Sequence, residues 1–307
     1  MGPERQILAA LVATQHYLNK QTKSQIAEDL SLSRFQVARL LEAAHSEGIV
    51  RITVELPSGV DADLSNRLRR HFGLKRALAV STADEPATRR KQLGQAAADL
   101  LTDVVTEDDC LGIAWGRTLS AIPGALSKLA TCPIVQLTGV AGTISENTME
   151  LVRQMCAVNG GHANPIYAPL VVADAATARG LRGQAGISRA LELHGMVTRA
   201  VVGVGSWDPP DSQLHDSLRV EERRKLSGRG VRAEICGTLL NSDGEVVEGL
   251  EDRCIAVPTA RLREIPEVIA VGGGSAKIKA VLAAIRSGLI HGLVTDARVA
   301  GELLALG

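Results

Sequence analysis

Apolar residues near the start of the chain recur with the spacing of helices. The pattern predicts a first amphipathic helix, a short second helix over residues 22–30 and a third from about residue 34 to residue 45. Ser33 is a good N-cap for the third helix, and Gly48 is typical of its C-terminal end. The first helix carries on one face the apolar residues Ile7, Leu8, Leu11 and Val12.

The pattern changes after residue 48. Residues 49–55 alternate or are β-branched and predict a strand, and Pro57-Ser58-Gly59 then breaks the pattern, which marks a domain boundary. Beyond residue 61, short apolar runs alternate with helix-length segments, so we expect βαβ units and a parallel sheet covered on both faces. The runs are residues 77–80, 111–114, 134–137, 200–204, 268–271 and 289–294.

Composition narrows the class of protein. The 307 residues suggest about two domains, and 45% apolar with 22% charged residues excludes a disordered chain. No run of 18 apolar residues occurs and the N-terminus lacks a signal peptide, so we expect a cytoplasmic protein without a membrane partner. The five cysteines form no C-x-x-C pair and the seven histidines show no metal-binding spacing, so we expect free thiols and no metal.

The second and third helices have the spacing of a helix-turn-helix unit, in which the second of the two helices enters the major groove of DNA. Ala27 is small where the helices cross, and the strand at 49–55 would make the unit winged. Basic and acidic residues within 1–55 are equal in number, six each, so useful affinity would need linked heads and a dimer or higher oligomer. The alternative is a plain three-helix subdomain. The residues expected to contact double-stranded DNA are Lys23, Ser24, Ser33, Arg34, Gln36 and Arg39.

Three predicted strands end in glycine-rich turns, at residues 115–118, 138–143 and 272–277. Ligands of open parallel sheets bind beyond the carboxyl ends of the strands, where glycine N–H groups and helix N-termini favour an anion. Arg117 with Thr118, or Ser275 with Lys277, would complete a phosphate cradle. The turns therefore indicate a small phosphorylated or polyhydroxylated ligand, whereas no dinucleotide fingerprint or P-loop is present.

The ordered set of motifs resembles the SorC/DeoR-type sugar-binding transcriptional regulators of bacteria over nearly the whole chain. The helix-turn-helix motif spans residues 25–34 and 37–41, followed by Gly48-Ile-Val50. The motifs of the second domain are residues 111–118, 135–139, 201–206, 234–244, 271–277 and 293–296.

The resemblance implies an α/β effector domain related to glucosamine-6-phosphate deaminase and ribose-5-phosphate isomerase. It also implies tetramers on DNA that are released or rearranged when a sugar phosphate or a sugar binds. Asn241 stands where the family usually has a carboxylate facing the sugar, and Thr138 where some relatives that respond to deoxyribose phosphate carry a Schiff-base lysine. The effector contacts that we expect are Gly116, Arg117, Thr118, Thr138, Gly139, Asn241, Gly273, Gly274 and Lys277.

We therefore predict a winged helix-turn-helix domain over residues 1–56, a linker over 57–63 and an effector-binding domain over 64–307, whose carbohydrate effector (a sugar phosphate, sugar or polyol) modulates operator binding. The alternative function is an isomerase-like or deaminase-like enzyme using the same pocket. Residues 203–211 lack the histidine of the related deaminases, and Asp208 and His215 suit a turn and a solvated helix. We expect no catalytic residue and no cofactor.

Overall fold

The computed structural model of the chain describes residues 2–52, 59–141 and 148–307. The chain divides into two compact units, Met1–Glu55 and Leu56–Gly307. Each unit has a hydrophobic core of its own.

The first unit is built from three helices, α1 (Pro3–Ala13), α2 (Lys23–Asp29) and α3 (Arg34–Ser46). A π-helical turn, Thr14–Leu18, extends α1. The predicted cap of α3 is confirmed, because the Ser33 hydroxyl accepts a hydrogen bond from the Gln36 N–H at 3.2 Å. Gly48 lies just past the end of α3 with a φ of 72°, in the left-handed region that glycine adopts without strain.

The buried face of α1 matches the predicted apolar face only in part, because Val12 is buried and Leu8 packs against the core but Ile7 and Leu11 do not. Ala9, Val12 and Ala13 are buried in the core of the first unit, whereas Ile7 is 70% exposed and Leu11 43% exposed. The small alanine side chains allow α1 to pack closely against α3, which a count of large apolar residues does not reveal.

The predicted strand after α3 does not form over residues 49–52, which have no regular secondary structure. The Val50 N–H instead donates to the Ala44 carbonyl at 2.9 Å, so the chain folds back on the end of α3. Residues 53–55 lie outside the described residues, and the wing stays a prediction.

The second unit contains two sheets. The strands are β1 (Val60–Asp61), β2 (Arg76–Val80), β3 (Leu111–Ile113), β4 (Ile134–Gln136), β5 (Ala163–Asn164), β6 (Arg199–Val202), β7 (Gly205–Trp207), β8 (Pro210–Asp211), β9 (Ala233–Ile235), β10 (Thr238–Leu240), β11 (Glu267–Val271) and β12 (Gly292–Asp296). The larger sheet has the order β1-β2-β12-β11-β6-β3-β4-β5 and is parallel except for β1. All six predicted runs form strands of this sheet, which confirms the parallel α/β prediction.

The smaller sheet is antiparallel, in the order β10-β9-β7-β8. The pattern of apolar and polar residues does not predict this sheet, because strands of two or three residues are too short to show a period of two.

Helices cover both faces of the larger sheet. One core cluster joins Leu68, Val281 and Leu303 to one side of the sheet, and another joins Leu93 and Met155 to the other. None of the helices in the described part of the chain is long and apolar enough to cross a membrane. The helices are α4 (Ala62–His71), α5 (Pro86–Val104), α6 (Ile122–Ala125), α7 (Thr148–Asn159), α8 (Ala175–Arg182), α9 (Ala185–Glu192), α10 (Gln213–Ser217), α11 (Val220–Gly228), α12 (Thr259–Glu264), α13 (Ile278–Arg286) and α14 (Ala297–Leu306).

Candidate functional site

A cavity of about 230 Å³ opens where β3, β6 and β11 end. These strands lie side by side in the order β11-β6-β3, so the chain segments that follow them meet at one edge of the sheet. This is the edge at which open parallel sheets bind ligands. The polar and glycine residues that line the cavity are Arg89, Arg90, Gly116, Arg117, Thr118, Gly203, Gly205, Asp211, Ser212, Gln213, Glu234, Gly272, Gly273 and Lys277.

Lys277 lies in the turn that connects β11 to α13. Its ammonium donates to the carbonyl oxygens of Val204 at 2.6 Å and Asp211 at 3.0 Å, and lies 3.3 Å from the Asp211 carboxylate. Burial lowers the pKa of Lys277, and the charge of Asp211 opposes that shift. The Asp211 carboxylate also pairs with the Arg117 guanidinium, so one anion holds two cations at the cavity wall.

Glu234 of β9 is a fully buried carboxyl on another wall of the cavity. It accepts hydrogen bonds from the Ser212 hydroxyl at 2.9 Å and the Gly237 N–H at 3.3 Å. Burial raises the pKa of Glu234, and these two donors together with the charge of Lys277 moderate the shift. Only glycine fits at position 205, because a Cβ there would lie 2.2 Å from a Glu234 carboxylate oxygen.

Arg89 and Arg90 add two more cations from the first turns of α5. Both are half-buried, and the Arg89 guanidinium donates to the Asp84 carbonyl at 3.0 Å. With Arg117 and Lys277 the cavity lining holds four cations against two carboxylates, Asp211 and Glu234. The lining therefore favours an anionic ligand that also carries groups able to donate hydrogen bonds.

Several residues at the cavity were not among the effector contacts expected from the sequence. Asp211, Glu234, Arg89 and Arg90 belong to α5 and to the small sheet, not to the glycine-rich turns. Two signals were available in the sequence: the basic run 89–91 shortly after Pro86, which starts a helix, and the acidic residue that begins the 234–244 motif.

Five of the nine expected effector contacts lie at this cavity: Gly116, Arg117, Thr118, Gly273 and Lys277. Gly274 lines a neighbouring cavity, and its N–H donates to the Asp296 carboxylate at 2.6 Å. Because that N–H has a partner inside the protein, it is not presented to an anion.

The structure does not bring Thr138, Gly139 or Asn241 to the cavity. Thr138 is buried and forms an isolated bridge with Ala256, and a Cβ on Gly139 would lie 2.6 Å from the Pro169 carbonyl oxygen. Asn241 organises the turn after β10, where its side-chain oxygen accepts from the N–H groups of residues 243 and 245. Its side chain acts as a turn former there, because an Asx turn uses the amide oxygen within its own loop.

Asp208 and His215, the candidates for a catalytic role, also lie outside the cavity lining. Asp208 is exposed beside Pro209, and His215 packs edge-on against Trp207 with ring centroids 5.0 Å apart. Among the described residues, no group of three or more His, Cys, Asp or Glu side chains is placed to hold a metal ion.

The first unit presents its candidate residues on the surface. Ser24, Ser33, Arg34, Gln36 and Arg39 are exposed, and Lys23 is half-buried. Ser33 and Gln36 form a capping box, in which the Gln36 side-chain oxygen accepts from the Ser33 N–H at 2.8 Å. These two residues therefore stabilise the start of α3 as well as facing solvent.

The turn between α2 and α3 spans residues 30–33 and contains Ser31 with a φ of 52°. Ile26 of α2 and Val37 of α3 share the buried core of the unit. Two short helices with a four-residue turn are the arrangement of a helix-turn-helix unit.

Comparisons with known proteins agree with both units. Residues 58–305 match the model of the family described as "Putative sugar-binding domain". The transcriptional regulator LsrR of Enterobacter sp. (strain 638) is 30% identical over 304 residues, which cover 97% of this chain and 93% of the relative. The erythritol catabolism regulatory protein EryD of Brucella abortus (strain 2308) is 27% identical over 305 residues, covering 97% of this chain and 96% of the relative.

The crystal structure of the full-length sorbitol operon regulator SorC from Klebsiella pneumoniae has the same fold, with a TM-score of 0.73 at 22% identity over 98% of this chain and 99% of that chain. The fold defines a class in which a small helical unit accompanies an α/β unit of the sugar-binding type. The chain belongs to the SorC/DeoR-type sugar-binding transcriptional regulators, the family that its motifs resemble.

Proposed function

We propose that the first unit binds double-stranded operator DNA and that a small carbohydrate effector in the cavity of the second unit modulates this binding. In this proposal residues 1–56 form the DNA-binding domain and the effector domain follows. The predicted linker over 57–63 is too long, because β1 (Val60–Asp61) pairs with β2 and α4 begins at Ala62. The protein would act in the cytoplasm as a homo-oligomer. Several linked DNA-binding domains together gain the affinity that one domain without net charge lacks.

The observation that carries the proposal is the charge of the cavity. Four cations against two carboxylates favour an anion, and a volume of about 230 Å³ lies just below the range of about 300–1,000 Å³ common for ligand pockets. The partly exposed Asp211 carboxylate can accept hydrogen bonds from hydroxyl groups, whereas arginine and lysine bind phosphate. A sugar phosphate combines both kinds of group in one small molecule.

Regulation by such a ligand needs two arrangements of the protein with different affinities for it. The ligand then shifts the population toward the arrangement that binds it better, which changes the affinity for DNA. By linkage, DNA changes the affinity for the ligand by the same factor. The names of the relatives favour this function over catalysis. The surroundings of Glu234 also favour regulation over catalysis. Ser212 and Gly237 already donate hydrogen bonds to the two carboxyl oxygens, so Glu234 is poorly placed to act as a general base.

A thermal-shift screen tests the proposal. The probes are inorganic phosphate, ribose 5-phosphate and glucosamine 6-phosphate, with ribose, glucosamine, erythritol and sorbitol as uncharged or non-phosphorylated partners. We expect at least one phosphorylated probe to raise the melting temperature by mass action. Lys277→Met should respond much less, and Lys128→Met, at an exposed site outside the cavity lining, should respond as the parent chain does.

Two results would contradict the effector site. One is a full response in Lys277→Met, and the other is a response to no probe of either kind. Conversion of a sugar phosphate by the purified chain, followed by proton NMR, would support the enzyme alternative instead.

A further inference from the structure

The aromatic ring of Phe35 stands in solvent at the start of α3. Phe35 is the second residue of the helix and is 72% exposed. The buried side of α3 consists of Val37, Leu40, Leu41 and Ala44. With 3.6 residues per turn, Phe35 points about 180° away from the middle of that stripe. The ring therefore contributes nothing to the core of the first unit.

The exposed residues around Phe35 indicate which groups of DNA this face of α3 can contact. Arg34 and Arg39 are exposed beside it and carry the positive charge expected where a helix approaches DNA. Gln36 is the residue type that reads adenine with its side-chain oxygen and nitrogen together. Its oxygen, however, accepts the Ser33 N–H in the capping box, so a two-point contact with adenine would cost the cap.

Given the DNA-binding function proposed above, on which this inference rests, we infer that Phe35 is a specificity-determining residue that contacts the 5-methyl group of a thymine in the major groove. The N-terminal residues of the second helix of a helix-turn-helix unit contact base edges. Thymine alone among the four bases presents an apolar group there, and an exposed phenylalanine ring is the apolar partner that this helix offers. Contact buries both groups away from water.

The experiment separates the methyl group from every other feature of the base pair. The full-length chain first selects duplexes from a random 30-base-pair pool. Each thymine of the selected duplex is then replaced by deoxyuridine, which keeps all hydrogen-bonding groups and lacks only the methyl group. Fluorescence anisotropy measures the dissociation constant of each duplex for the parent chain, Phe35→Ala and Leu18→Ala. Leu18 is a matched control because it is 75% exposed in the same unit but lies outside α2 and α3.

We expect one thymine of each half-site to matter to the parent chain. Its replacement should weaken binding about four-fold, the factor that corresponds to burying one methyl-sized group. Phe35→Ala should bind the thymine duplex more weakly and lose nothing further with deoxyuridine. Leu18→Ala should behave as the parent chain does, and circular dichroism checks that each variant is folded.

The outcomes distinguish this inference from the function on which it rests. If no duplex is selected, the DNA-binding proposal itself fails. If duplexes are selected but deoxyuridine has no effect, or weakens Phe35→Ala as much as the parent chain, the thymine contact is wrong. Phe35→Ala could instead differ from the parent chain in oligomeric state and still bind the deoxyuridine duplex more weakly than the thymine duplex. That result would show that the ring packs on a protein surface and not on thymine.

Discussion

The two candidate binding regions of this chain are built in opposite ways. The candidate DNA-binding surface consists of exposed side chains of α2 and α3 within residues 23–39, a continuous stretch of sequence. Local caps at Thr22 and Ser33 stabilise the two helices. The cavity collects side chains from α5 and from the ends of three non-consecutive strands, and its charges hold one another through Asp211. Exposed residues of a helix can change with little cost to folding, usually within about 0.5 kcal/mol.

Substitution at the cavity has the opposite consequence. Lys277 is the buried member of this set of charges, whereas Arg117 and Asp211 are partly exposed. Removal of a partner therefore leaves one buried charge without compensation, which is destabilising. A regulator built in this way can change its DNA sequence preference independently of its fold, whereas its ligand preference is coupled to the stability of the second unit.

The largest effect is expected at Gly205, where the strand end and the buried Glu234 touch. A methyl group at this position would lie 2.2 Å from a Glu234 oxygen and 2.7 Å from the Ser212 oxygen. We expect Gly205→Ala to lower the free energy of unfolding by about 2–3 kcal/mol, the cost typical of overpacking. Urea unfolding followed by the fluorescence of Trp115 and Trp207 measures the second unit, because both tryptophans of the chain lie there.

Gly301→Ala is the matched control for that measurement. Gly301 lies in α14, and a Cβ built on it meets no atom within 4 Å. The substitution should raise the free energy of unfolding by about 0.5–1 kcal/mol, because alanine favours a helix over glycine. Equal stability of both variants would contradict the tight packing between the strand end and Glu234.

The buried Glu234 carboxyl should make the second unit less stable as the pH rises. Its pKa is raised in the folded protein above the ordinary value of 4.5, so the folded state holds a proton that the unfolded state has released. The free energy of unfolding therefore falls as the pH increases from about 4.5 through the raised pKa. Glu234→Gln, which cannot titrate, should show a shallower fall in urea unfolding across that interval. Parallel curves for the two proteins would contradict the raised pKa.

A smaller effect, of unusual sign, is expected at Asp211. Its carboxylate pairs with Arg117 and Lys277 and thus competes with an anionic ligand for both cations. Asp211→Asn should bind inorganic phosphate about five-fold more tightly in calorimetric titration, which corresponds to about 1 kcal/mol for a partly exposed pair. Asp103→Asn, at an exposed site in α5, should bind as the parent chain does. Weaker binding of phosphate by Asp211→Asn would contradict this competition and show that the carboxylate itself contacts the phosphate.

The smallest effect is expected in the turn between α2 and α3. Ser31 adopts a φ of 52°, which costs energy for any residue with a Cβ and none for glycine. Ser31→Gly should stabilise the first unit by about 0.5 kcal/mol, measured by hydrogen exchange of the α2 and α3 amides. Ser24→Gly, inside α2, should destabilise the same amides by a similar amount. Slower exchange in both variants, or in neither, would show that the turn is not strained.

Local features of the first unit could be predicted because they depend on neighbours in sequence. Ser33 and Gln36 form their cap across three residues, and the spacing of Val37, Leu40 and Leu41 shows which face of α3 is buried. The buried face of α1 could not be predicted in the same way. Ala9 and Ala13 are buried while Ile7 is exposed, and which of them is buried depends on how closely another helix approaches.

The residues that line the cavity could be predicted only where they come soon after a strand of the parallel sheet. Arg117 and Lys277 come directly after β3 and β11, so the rule for parallel sheets places them correctly. Glu234 and Asp211 belong to the small sheet, whose short strands carry no periodic signal, and Arg89 belongs to a helix that reaches the cavity through tertiary packing. Asn241 is the opposite case, a residue that was expected at the ligand but lies elsewhere. Its side-chain oxygen accepts hydrogen bonds within its own turn and does not face the cavity.

The coupling between the two units is tested most directly by measuring DNA affinity with and without the ligand found in the thermal screen. The duplex is the one selected by the full-length chain, and the proteins are the parent chain and Lys277→Met. The account predicts that the ligand changes the dissociation constant of the parent chain at least five-fold, the lower end of ordinary allosteric coupling, and leaves that of Lys277→Met nearly unchanged. An unchanged affinity in the parent chain, or an equal change in both proteins, would contradict it.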